Sequence, residues 1–443
     1  MVHSWLTATA CDLGRGIENN SICPLELTNT FLSAIQNHPQ RDRIYSIVTA
    51  DRALKEASAA KQRAQSNTRR GLLDGVPISW KDLFDSADIP TEAGCRMLAG
   101  RVPDTDAVPL RNATDAGMIC LGKTHMSELA FSGLGLNPMA QTTPCVNDLD
   151  AVAGGSSSGA AGSVAFGIAA AGIGSDTGGS VRIPSTWNDL VGLKTTSAEI
   201  SLEGSVPLCP KFDTVGPLCR SVEDASALFD VLRGRPITPL HPQPPKRALI
   251  LNTIALDDVD TAPKSAFDKA CGAISESGIE TEEIAFPELN EIMALAGVLF
   301  TTEAYAQWAE LLETEGHKMY PMIFERFMSG KAHAQADYRA AWDVLRTIRQ
   351  KWDRLIGPED VVVLPSSPIL PPKTEGLLND HAYYIRANLL ALRNTRIGNL
   401  LNLPVVTLPL GAPSCGISIM GKPHAEAKLL QHCAAIDPLL TNY

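Results

Sequence analysis

The chain has 443 residues, 44% hydrophobic and 20% charged, a balance that fits a globular protein and excludes extended disorder. Its formal net charge is −11, which argues against the basic surface that holds nucleic acid. The length allows one large α/β domain or two to three smaller ones.

Taken in order, "MVHSWLTATACDLGRG" has no basic region followed by an apolar run, so no signal peptide is expected. "SICPLELTNTFLSAIQ" predicts an amphipathic helix. Ser21 is a candidate cap, Pro24 fits an early position, and Leu25, Leu27, Phe31, Leu32 and Ile35 recur at helical spacing. "DRALKEASAAKQRAQ" predicts a second, more exposed helix. "GVPISW" and "MICLG" predict buried strands, as do "VVVLP" and "LPVVTLPLG" further on. Strands alternating with helices predict an α/β sheet protein.

The least charged stretch, "AVAGGSSSGAAGSVAFGIAAAGIGS", is rich in Gly and Ala rather than Leu and Ile, too weakly apolar to span a bilayer. "RPITPLHPQPPK" (235–246) is proline-rich and predicts an extended connector, with a strand at "RALILN" after it. Residues from about 285 to 355 read as helical and aromatic, with Tyr305, Trp308, Tyr320, Phe324, Phe327, Tyr338 and Trp342. Core packing is the ordinary role for such rings, and the segment is the candidate cover for a site built elsewhere. The ten cysteines form no CxxC pair and no zinc spacing with histidine, which predicts reduced thiols and a cytoplasmic protein.

Two short motifs match familiar patterns. "GMICLGKT" (117–124) fits a phosphate loop letter by letter, but its interior, Met118 to Leu121, is strand material and no helix follows at once. "GSSSG" (155–159) fits the nucleophile elbow of α/β-hydrolases, with Ser157 as nucleophile. That reading needs a later acid and histidine, for which Asp380 with His381, or His432, are the candidates. It also needs a preceding strand, and "PCVNDLDAVA" offers few adjacent apolar residues.

Three further segments belong together. Lys81 ends the apolar run of "LLDGVPISWKDLFD", Ser156 lies in "AGGSSSGAAGSVAFG", and Ser180 lies in "GIGSDTGGSVRIPS". Residues 159–170 between the serines predict a helix of small side chains. These segments, with "GKTHMSELAFSG", "VGLK", "FDTVGPLCRSVEDASALFDVL", "VVVLPSSPILPP" and "GISIMGKPHAEAKLL", resemble the amidase signature family of serine hydrolases almost end to end.

The resemblance implies one large α/β domain over 1–443, a mixed sheet covered by helices on both faces. Its parts would be a helical start (about 1–65), the signature core (about 66–234), the connector, the cover (about 285–355) and C-terminal strands and helix (about 356–443). It implies Ser180 as nucleophile, Ser156 as a bridging serine after a cis peptide bond from Gly155, and Lys81 as base. The backbone amides of Thr177, Gly178, Gly179 and Ser180 would form the oxyanion hole. Asp176, Arg182 and Ser157 are supporting residues, and Met126 and Ser127 match positions near substrate. "STWNDLVGLK" departs from the family pattern, which makes Trp187 a candidate wall residue. Arg326 is a candidate for binding an acidic substrate, set against an ordinary exposed helix arginine.

The implied reaction hydrolyses a small-molecule carboxamide to an acid and ammonia or an amine, without metal or organic cofactor. Ester or aryl-acylamide hydrolysis by the same residues is an alternative, as is an amidotransferase A-type subunit needing partner chains. A Ser157 hydrolase and a non-enzymatic scaffold are the readings from other classes. No nucleic-acid or membrane partner is expected, and a homodimer is left open.

Overall fold

The computed structural model describes residues 2–440. Its strands are β1 Tyr45–Val48, β2 Pro77–Lys81, β3 Ile119–Thr124, β4 Pro144–Cys145, β5 Asp148–Val152, β6 Gly172–Ser175, β7 Val191–Lys194, β8 Val215–Cys219, β9 Arg247–Leu251, β10 Glu280–Ile284, β11 Asp360–Pro365, β12 Val405–Pro409 and β13 Gly416–Met420. All but the β4–β5 hairpin join one mixed sheet of 11 strands, in the order β1-β3-β2-β6-β8-β7-β12-β13-β11-β9-β10. β2 runs parallel to β3 and β6, whereas β6, β8, β7, β12, β13 and β11 pair antiparallel in turn.

Every residue of β2, β3, β6, β7, β8, β11 and β13 is buried. Both faces of the sheet are therefore covered, which explains the continuous apolar runs. Val181 and the helix Ser158–Ala165 pack with Leu218 on one face. The helix Val222–Leu232 packs with Val215 and Cys219 on the other. The first helix approaches very closely. A methyl group on Gly172 would stand 2.6 Å from the Ala160 carbonyl, and one on Gly174 would stand 2.6 Å from Ser157 Oγ. This contact brings the Ser156 loop down onto the strand that leads to Ser180.

The predicted helices at Pro24–Asn37 and Ala50–Gln65 are present. Ser21 does not cap the first: Cys23 is at the cap position, and Ser21 Oγ donates to the Gly16 carbonyl at 3.1 Å. The small-residue helix is shorter than 159–170. It ends at Ala165, and Gly167 follows at φ +73, a conformation that glycine adopts without strain. "GMICLGKT" forms β3 rather than a phosphate loop. Lys123 points into the protein, 2.7 Å from Thr91 Oγ1 and 3.2 Å from Asp82.

Residues 235–245 form neither helix nor strand. The helices Glu288–Glu315, Pro321–Met328 and Gln335–Leu355 follow. Among the described residues, no helix is long and apolar enough to cross a membrane.

Candidate active site

Lys81 is the last residue of β2 and is completely buried. Its Nζ donates to Ser156 Oγ at 2.7 Å and to Ser175 Oγ at 2.8 Å. Burial pulls its pKa down to about 7, against Asp176 and Asp213, whose charges act to raise it. A lysine that is half neutral at neutral pH can accept a proton.

Ser156 follows a cis peptide bond from Gly155. The loop is pinned on both sides: Gly155 N–H donates to the Gly133 carbonyl at 2.8 Å, and Ser127 N–H donates to the Ser156 carbonyl at 3.1 Å. Ser127 is fully buried, and its Oγ donates to the Ser132 carbonyl at 3.0 Å. Ser127 thus braces the loop that presents Ser156.

Ser157 ties this loop to the next one. Its N–H donates to the Ser180 carbonyl at 3.2 Å. Its Oγ donates to the Ser175 carbonyl at 3.2 Å and accepts from Ser175 N–H at 3.3 Å. That hydroxyl is committed to backbone, and two of the partners named for a Ser157 elbow, Asp380 and His432, are engaged elsewhere. Asp380 caps the helix His381–Leu400 by accepting from Tyr383 N–H, and His432 Nδ1 lies 2.8 Å from the Gln243 carbonyl.

Ser180 is 3% exposed and lines a narrow cleft with Phe131, Thr177, Gly178, Phe300, Arg326 and Arg396. Among the described residues its hydroxyl makes no protein hydrogen bond, including to Ser156.

The turn carrying Ser180 is organised by Asp176 and Arg182, both buried. Arg182 donates to the Asp176 carboxylate from Nη2 at 2.9 Å and Nε at 3.1 Å. It also reaches the Thr395 carbonyl and Asn399 Oδ1, each at 2.6 Å. Burial alone would raise the Asp176 carboxyl, but Arg182, Lys194 and Asn399 hold it well below the usual carboxylate range. Asp176 also accepts from Gly179 N–H at 2.8 Å and Val181 N–H at 3.1 Å. Of the four amides expected to line an oxyanion hole, Gly179 is therefore already committed. Among the described residues, the N–H groups of Thr177, Gly178 and Ser180 have no protein acceptor.

Two expected substrate contacts lie beneath the cleft instead. Met126 is fully buried, and its carbonyl accepts from Asn137 Nδ2 at 2.9 Å. Trp187 is fully buried in a cluster with Leu134, Val152, Ile183 and Tyr384, and its indole donates to the Ile369 carbonyl. A large apolar side chain inside a short buried helix is drawn into the core rather than left at a wall. Arg326 is half-buried and does line the cleft, so it is not an ordinary surface arginine.

Sequence reasoning missed Arg396. In "RNTRIGNL" it reads as one more helix arginine, and only the packing of His381–Leu400 turns it to the cleft. The cleft opens toward two chambers. One, about 470 Å³, shares Phe300, Arg326 and Arg396 with it. The other, about 300 Å³ and walled by Leu83, Val206, Leu208 and Val215, reaches Ser175 and Asp213. Among the described residues, no group of three or more His, Cys, Asp or Glu could hold a metal ion.

Comparison with known proteins agrees with this architecture. The family model described as Amidase matches residues 26–430. The chain is 30% identical over 434 residues to 2-amino-5-chloromuconic acid deaminase of Comamonas testosteroni, covering 94% of this chain and 93% of that protein. It is 29% identical over 428 residues to fatty acid amide hydrolase of Oryza sativa subsp. indica, covering 88% of this chain and 69% of that protein. A solved crystal structure of an amidase superposes with a TM-score of 0.88 at 28% identity, over 98% of this chain and all of that one. The chain belongs to the amidase signature family, hydrolases that act on carbon–nitrogen bonds.

Proposed function

We propose that the protein hydrolyses a carboxamide through an acyl-enzyme on Ser180, with Ser156 as proton relay and Lys81 as general base. The observation that carries this reading is the 2.7 Å contact between Lys81 Nζ and Ser156 Oγ, at a lysine drawn to about pKa 7.

A serine hydroxyl attacks a carbonyl only when its proton is removed as the bond forms. Neutral Lys81 takes a proton from Ser156 as Ser156 takes one from Ser180. The carbonyl carbon becomes tetrahedral and its oxygen turns negative. The N–H groups of Thr177, Gly178 and Ser180 are left to meet that charge; one such donor is typically worth about 3–4 kcal/mol of transition-state stabilisation. Asp176 contributes from behind by holding the Gly179 and Val181 amides and so setting the turn. The relay then runs in reverse, protonating the leaving nitrogen as the carbon–nitrogen bond breaks. Water enters by the same relay and releases the carboxylic acid.

Labelling by a fluorophosphonate probe, together with ammonia release from a panel of primary amides, tests this. Ser180→Ala is expected to abolish both, and Ser156→Ala and Lys81→Ala to slow both by orders of magnitude. Ser157→Ala is expected to keep labelling at Ser180. Labelling that survives Ser180→Ala and disappears in Ser157→Ala overturns the proposal.

A further inference from the structure

Three inward-turned arginines of this protein face a carboxylate, and the two of the cleft do not. Arg182 faces Asp176, Arg63 faces Asp74 and Arg52 faces Asp106, each through two N–H donors. Among the described residues, neither Arg326 nor Arg396 pairs with a carboxylate. Arg326 donates one N–H to the Phe131 carbonyl at 2.8 Å and lies over the Phe131 ring at 4.2 Å. Among the described residues, Arg396 makes no protein hydrogen bond, and the Phe300 ring lies 5.9 Å away. Glu325 is exposed at the wall of the larger chamber and bridges to neither.

Position adds to this. A methyl group on Gly178 would stand 3.6 Å from Arg396 Cγ and 4.0 Å from its Nε. The Arg396 stem therefore lies against the amide run that precedes Ser180. Asn388 lines the same chamber as both arginines. Its Oδ1 accepts from Gly133 N–H at 2.9 Å and Ser132 Oγ at 3.2 Å, which leaves its Nδ2 as a fixed donor. Burial, together with the charge of Arg326, lowers Arg396 to about 9. Two like charges lining one half-buried cleft are costly without an anion between them.

We propose that Arg396 and Arg326 form a subsite for a carboxylate on the substrate, with Arg396 the specificity-determining residue. The amide cleaved at Ser180 then carries an acid group, as the monoamide of a short dicarboxylic acid does. A guanidinium offers two parallel donors to a carboxylate, a fit that neither a neutral amide nor a lysine reproduces. This inference rests on the Ser180 reading above, and its test separates the two.

Succinamate and butyramide share a short amide chain and differ in the carboxylate. The wild-type enzyme is expected to favour succinamate by about 100-fold or more in kcat/KM. Arg396→Gln is expected to lower the succinamate-to-butyramide ratio about 10- to 100-fold, mainly through KM, as loss of a charged hydrogen-bonded pair does. Arg396→Lys is expected to keep part of the preference. Free succinate should also slow fluorophosphonate labelling of Ser180 in the wild type and not in Arg396→Gln; this arm decides the matter if neither amide turns over. No preference in the wild type, an unchanged ratio in an Arg396→Gln protein that still labels, or no protection by succinate overturns the subsite. Failure of Ser180 to label in the wild type overturns the hydrolase reading instead.

Discussion

Lys81 ends strand β2 and Ser156 lies on a loop, yet the ammonium nitrogen stands 2.7 Å from the serine hydroxyl with both side chains wholly buried. The lysine is drawn to about pKa 7 by burial, while Asp176 and Asp213 act in the opposite direction. If neutral Lys81 is the base, kcat/KM rises about tenfold per pH unit below 7 and levels off above about 8. Asp213→Asn removes one charge that favours protonated Lys81, so its rising limb should move to lower pH. A pH–rate profile on one amide substrate checks both. A flat wild-type profile from pH 6 to 9, or a limb moved upward in Asp213→Asn, would sink the assignment.

Asp176 and Arg182 act as a unit beneath the nucleophile. Breaking a buried pair leaves an uncompensated charge, which costs about 3–5 kcal/mol. Asp176→Asn should therefore lose stability of that order. It should also slow Ser180 labelling by more than unfolding explains, because the Gly179 and Val181 amides lose their anionic acceptor. Urea denaturation and labelling rates measured on the folded fraction separate the two effects. Labelling at the wild-type rate would show that the pair supports the fold alone.

Gly179 offers a steric test of the same turn. Its φ is +139, and a methyl group there would stand 2.1 Å from Thr395 Oγ1. Gly179→Ala should destabilise the protein by at least about 2 kcal/mol, since backbone strain and a collision act together. Gly100 also has positive φ, at +78, but nothing lies within 4 Å of the added methyl group. Gly100→Ala should cost about 1 kcal/mol. Equal losses in thermal melts of the two variants would show that the Thr395 contact relaxes freely.

How legible the site is differs between its parts. The apolar runs at β2, β3, β11 and β12 stand out because both faces of the sheet are covered. Lys81 at the end of one, and glycine-flanked serines at 156 and 180, take on catalytic roles through the resemblance to the amidase signature family. Their meeting depends on Gly172 and Gly174 letting a helix sit on the sheet, which no local pattern states. Met126, Trp187 and Arg396 fail for one shared reason: the side each presents is set by packing between distant segments. The helices Arg182–Trp187 and His381–Leu400 are buried over most of their surface, so no polar stripe marks which side faces the cleft. Asp176 taking the Gly179 amide is likewise a matter of a turn only a few residues long, where composition is silent about which N–H points inward.

Glu128 connects this core to the segment that supplies Arg326. Its side chain is completely buried, and Oε2 accepts from Tyr320 N–H at 2.9 Å. Burial raises its pKa from 4.5 to about 7, despite the Tyr320 amide, Cys95 and Arg96 acting to lower it. The folded protein therefore holds this proton longer than the unfolded chain does. The stability linked to it is fully present below about pH 4.5 and falls as the unfolded carboxyl ionises. The loss is complete above about pH 7, once the folded carboxyl ionises too. Glu128→Gln keeps an acceptor for Tyr320 and removes the titration. Relative to the wild type it should gain on the order of 3 kcal/mol between pH 4.5 and pH 8. Urea midpoints of both proteins across that range measure the gain, and a difference that stays constant with pH would rule out Glu128 as the titrating group.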